Sequence, residues 1–123
     1  YTKGGTTGLA ATVRTDKPFA VWVHVALLKP DPKKVDSIWL ESMLNSEYCY
    51  RQSQVLTHGI ANRDLGLTRM VNISIILPDI TLQREYRYHV DAVDNLKSAH
   101  RTSLAELDAL FTSLQHRAFR GEL

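Results

Sequence analysis

Apolar residues recur at helical spacing, mostly in steps of three and four, through the last third of the chain, at Val90, Val93, Leu96, Leu104, Leu107, Leu110, Phe111, Leu114 and Ala118. That period gathers them on one stripe of a helix. Between Thr81 and Phe119 there is neither Gly nor Pro. The pattern therefore predicts a single helix, roughly 58 Å long at about 1.5 Å per residue. A domain of this size is narrower than that, so a second helix is expected to cover the distal half of the stripe. Just before it, residues 73–77 (ISIIL) read as a buried strand. Pro78 closes the strand because its nitrogen carries no hydrogen for a ladder. Asp79 or Thr81 is then placed to cap the helix.

The upstream pattern is shorter in wavelength. Residues 4–8 (GGTTG) read as a glycine-rich turn, and residues 9–13 as a strand. Thr15, Asp16, Lys17 and Pro18 supply turn chemistry. Residues 19–28 (FAVWVHVALL) are aromatic and β-branched enough for a strand buried on both faces. The two strands are expected to pair antiparallel across that turn, with His24 as a hydrogen-bonded core residue. Pro30 and Pro32 end the second strand. Helical spacing follows over residues 35–45 and 46–56, then a break at Thr57, His58 and Gly59, a polar loop over 60–66 and one helical turn at 67–71. The expected architecture is α+β: a small mixed or antiparallel sheet with two short helices over residues 1–78, then one long coiled-coil-type helix over 79–123.

Composition narrows the class. At 123 residues, 44% hydrophobic and 23% charged, the chain suits one soluble domain plus that helix. It has no apolar run long enough for a bilayer and no signal-peptide pattern, so no membrane is expected and the compartment is read as cytoplasmic. The single cysteine, Cys49, rules out an internal disulfide and reads as a small core residue. The chain opens at Tyr1 in strand-like sequence, and an upstream part is expected to precede it. Net charge is +2, unevenly spread. Residues 1–34 carry six basic groups against two acidic ones, which suits a phosphate-facing surface.

Enzyme motifs fail in turn. After Gly8 come Leu9 and Ala10, where a phosphate loop needs Lys and a hydroxyl. Strand-like sequence follows the glycines, whereas a dinucleotide fingerprint needs a helix there. The five histidines are too scattered for paired metal ligands, and no nucleophile elbow frames a serine. No catalytic residue, metal or cofactor is expected. Two segments remain. The turn at 5–8 reads either as a plain hairpin or as a backbone loop that approaches a polyanion. The loop at 57–64 reads either as an ordinary connection or as a reader of bases through His58, Asn62 and Arg63. His100 falls on the helical stripe, where a polar residue can fix register.

Three stretches, taken in order, bring a family into view: GTTG at 5–8 followed by a short apolar strand and residues 19–31 ending in ALLKPD; residues 59–67 leading into ILPDITLQRE; and LDALFTSLQHRAFRGEL at 107–123. Together they resemble the DNA-specificity subunit of type I restriction–modification enzymes. That family carries two target-recognition domains, each followed by a long helix. The two helices pack antiparallel and bind the modification (methyltransferase) subunits.

The resemblance implies a non-catalytic module made of the later part of a recognition domain and its helix. Its partners would be double-stranded DNA, the methyltransferase subunit and the restriction subunit, with a helix-mediated homodimer when isolated. DNA contacts would fall to Lys3, Thr6, Thr7, Arg14, Lys17, His58, Asn62 and Arg63. Helix pairing would fall to Val93, Leu96, His100, Leu104, Leu107, Phe111 and Leu114. Leu82 stands where the family has an acidic residue before the glutamine, here Gln83, which implies an altered cap. The competing expectation is a structural or dimerisation domain with no nucleic-acid role.

Overall fold

The computed structural model describes residues 1–123, and it is helical where the sequence promised a sheet. Four helices form: α1 (Ser37–Leu44), α2 (Glu47–Leu56), α3 (Gly66–Met70) and α4 (Ile80–Phe119). The only β pairing is three isolated bridges, Thr2 with Val25, Gly4 with Asp64, and His58 with Asp64. The expected α+β sheet is absent, and the chain is an α-helical protein with extended connections.

Two of the three expected strands, 9–13 and 73–77, fail for an identifiable reason: their backbone groups are satisfied by side chains of the helices and of the α1 C-cap. Asn45, just past α1, donates its amide to the Ala10 carbonyl at 2.9 Å and accepts the Ala10 N–H at 2.8 Å. Glu41 accepts the Thr12 N–H at 2.9 Å. On α2, Gln52 does for Ser74 what Asn45 does for Ala10, at 2.9 and 3.0 Å. A side-chain amide presents a donor nitrogen beside an acceptor oxygen, so it imitates a neighbouring strand one residue at a time. Residues 19–28 do not pair with 9–13. A turn at Trp22 interrupts them, and only the His24 carbonyl and Ala26 reach a partner, the segment 1–4. Phe19, Val21, Trp22, Val23 and Leu27 are exposed, not buried on both faces, and His24 is exposed as well.

Local capping chemistry sets the helix starts. Asp36 is extended (φ −79°, ψ 134°) and accepts the Ile38 and Trp39 N–H groups. Ser46 accepts the Cys49 N–H. Asp79 accepts the Thr81 N–H at 2.8 Å, which places the cap of α4 at the first of its two candidates.

The chain divides into two compact units, Tyr1–Arg87 and Tyr88–Leu123. In the first, Tyr1, Leu44 and Leu65 form the core, flanked by Leu40, Leu56, Met70, Ile73 and Ile75. Cys49 is fully buried, as a core residue should be. A cavity of about 650 Å³ lies beside α1, walled by apolar residues of the 10–30 segment, among them Val13, Phe19 and Leu28. The first turns of α4 belong to this unit. The second unit is helix throughout residues 88–119, and no residue in it is buried. Val93, Leu96, Leu104, Leu107, Phe111 and Leu114 are all exposed, and so is His100. No helix is long and apolar enough to cross a membrane.

Candidate nucleic-acid interface

The glycine-rich turn and the 57–64 loop, more than fifty residues apart in sequence, meet at Gly5 and Arg63. The Gly5 N–H donates to the Arg63 carbonyl at 2.8 Å, and Gly4 bridges Asp64. The turn is closed by backbone bonds from Thr2 to Leu9 (2.8 Å) and from Gly8 to Thr2 (3.0 Å). Gly8 has φ +92°, and a Cβ there would lie 2.1 Å from Ser53 Oγ, so only glycine lets the turn lie against α2.

The loop is built on a reciprocal pair. The His58 N–H donates to the Asp64 carbonyl at 2.9 Å, and the Asp64 N–H returns the bond at 2.8 Å. Gly59 turns the chain at φ +91°, where a Cβ would come within 2.2 Å of the Asn62 carbonyl. Leu65, fully buried, pins the end of the loop in the core, and its N–H donates to the Lys3 carbonyl at 2.8 Å. Arg69 clamps Asp64, donating to both its carboxylate and its carbonyl at 2.9 Å.

One α2 side chain holds both segments. Gln54 donates from Nε2 to the Thr7 carbonyl at 3.1 Å and accepts from the Arg63 guanidinium. Neither Gln54 nor Ser53 was singled out in the sequence. The available signal was Ser53 standing four residues after Cys49, which puts both on one buried face of α2.

The expected contact residues divide accordingly. Thr6, His58, Asn62 and Arg63 are exposed on the joined turn and loop, and Lys3 is half-buried beside them. Thr7 is not available to a ligand. It is 2% exposed, and its hydroxyl pairs with the Thr57 hydroxyl at 2.9 Å. Its part is to tie the turn to the loop. Arg14 and Lys17 are exposed on the other segment, past the Thr12–Glu41 bond, and Lys17 lines the cavity beside α1.

Burial raises the Tyr1 phenol above its ordinary value and does the same to the Cys49 thiol. Both therefore stay neutral in the core at neutral pH. The Cys49 S–H points to the Ser74 carbonyl at 3.6 Å, so the chain's one sulfur acts as a weak internal donor. Among known protein families, curated proteins and solved structures, none matches this chain.

Proposed function

We propose that this chain is a non-catalytic DNA-recognition module of the type I restriction–modification kind, reading one half of a split site. The observation that carries the reading is the Gly5–Arg63 junction, which joins a glycine-rich turn to a loop bearing His58, Asn62 and Arg63. Backbone N–H groups and Lys3 would position phosphates, while Asn62 and Arg63 would discriminate bases. Thr7 drops out of the contact set, and Arg14 and Lys17 contribute long-range attraction at most. Methyl transfer and cleavage would belong to partner subunits.

The exposed stripe of α4 supports a helix partner for the second unit, either a methyltransferase subunit or, in the isolated protein, a second copy. Its Leu104, Leu107, Phe111, Leu114 and Ala118 follow the 3-4 alternation of a coiled-coil seam. Electrophoretic mobility shift with duplex DNA at low and moderate salt tests the reading. Binding that weakens steeply with salt is expected. Failure to shift any duplex, together with concentration-dependent self-association, would leave the chain as a dimerisation domain.

A further inference from the structure

We infer that His24 is a third contact element of the same surface, an assignment that rests on the DNA-recognition reading. Residues 22–25 form a tight turn, with the Val25 N–H on the Trp22 carbonyl at 2.8 Å. The structural duty of His24 falls to its backbone, because its carbonyl accepts the N–H groups of Lys3 (2.8 Å) and Gly4 (3.2 Å). The ring is held separately. A Cβ on Gly4 would lie 2.2 Å from His24 Nδ1, so the imidazole fills the space that any larger residue at position 4 would take. Gly4 is not in the left-handed region. Its glycine is required by the ring, not by the backbone.

The placement of that ring follows from the bridges. Gly4 opposes Asp64, and Asp64 opposes His58. Residues directly opposed in a bridge project to one face, so His24, lying over Gly4, stands in one lateral row with Asp64 and His58. Arg69 Nη2 neutralises the Asp64 carboxylate at 2.9 Å, which removes the one charge in the row that would repel a phosphate. His24 is exposed, and its imidazole has no hydrogen bond or ion pair within the protein. With Nδ1 packed on Gly4, the other ring nitrogen is the one left to bond a phosphate oxygen or a base edge.

The test uses the whole chain, a fluorescent random-sequence duplex pool read by anisotropy, and thermal melting of each variant. His24→Ala is expected to weaken binding roughly fivefold, the worth of one net hydrogen bond, with melting unchanged. His24→Gln should recover part of the loss. Gly4→Ala keeps the imidazole but evicts it, so it should weaken binding as much as His24→Ala. The double variant Gly4→Ala/His24→Ala should be no worse than either single one. Wild-type affinity in His24→Ala overturns the assignment while leaving the DNA reading intact, and strictly additive losses overturn the positioning role of Gly4. Losses that track melting temperature in both His24 variants would make the ring structural. No binding by the wild-type chain removes the reading and His24's part together.

Discussion

The side-chain carbonyl of Gln83 accepts the backbone N–H of Asp36 at 2.9 Å, fastening the first turn of α4 to the cap of α1. Its amide donates to the Lys34 carbonyl at 3.1 Å and to the Pro78 carbonyl at 2.8 Å. Gln83 is fully buried, and both its N–H donors and its carbonyl oxygen are bonded to backbone. Arg87, one turn further on, reaches the Asp36 carboxylate at 3.1 Å.

Gln83→Leu should therefore destabilise the Tyr1–Arg87 unit by about 3 kcal/mol, because it strands three backbone groups away from water. Urea unfolding measures this. Gln83→Glu keeps the acceptor but turns the donors into lone pairs facing two carbonyls. Burial would hold that carboxyl above its ordinary range, so stability is retained while it is protonated and lost as pH rises through the raised value. The variant should be weaker near about pH 7 than near about pH 5, a trend opposite to the loss of native carboxylate bonds on acidification.

Asn45→Ala and Gln52→Ala each remove a substitute strand neighbour, from Ala10 and from Ser74 respectively. Each should cost about 1–2 kcal/mol. The two losses should add, since they serve different segments. Denaturant midpoints of the single and double variants decide it.

Gly59→Ala places a side chain at φ +91° and drives it into the Asn62 carbonyl. The loop should open while α2 and the core persist. Duplex affinity is expected to fall at least tenfold, on the order of 1.4 kcal/mol, with a far smaller change in melting temperature.

Asp79 is held below its ordinary carboxylate value, first by the Thr81 N–H. A lowered value contributes stability in full above the ordinary range, and that contribution disappears as pH falls through the lowered one. Acid titration of helicity should show the start of α4 fraying there. Asp79→Ala should lose the transition.

Self-association through α4 should be antiparallel. Carried back from Leu104, the 3-4 alternation falls on His100 and Lys97, and in a parallel pair these two would face their own copies. The opposite orientation sets them against Leu114 and Phe111, and it brings Arg101 of one copy near Asp108 of the other on both sides of Leu104 and Leu107. Sedimentation is expected to show a dimer that Leu107→Asp/Leu114→Asp dissociates without unfolding residues 1–87. Arg101→Glu should weaken it, and the exchange Arg101→Glu/Asp108→Arg should restore it.

Elements that depend on local chemistry were legible in the sequence. Asp79, one of the two residues placed to cap α4, does cap it, and the helix that the apolar spacing predicts runs unbroken to Phe119. The sheet was misread because a strand is a statement about its neighbours. Apolar, β-branched runs at 9–13 and 73–77 look the same whether a strand or an amide side chain satisfies them. Nothing in the spacing of Asn45 or Gln52 announces that role. The candidate interface was half readable. The turn and the loop stand out by residue type, but their junction at Gly5 and Arg63, the burial of Thr7 and the ring of His24 over Gly4 all depend on contacts between distant segments.

Cys49 gives the molecule a built-in clock. As the one thiol in the chain, sealed at zero exposure on the inner face of α2, it can meet a disulfide reagent only when the surrounding packing parts. The rate at which the native protein colours such a reagent therefore times that opening directly, with no probe attached, and any agent that clasps the Tyr1–Arg87 unit should lengthen the interval.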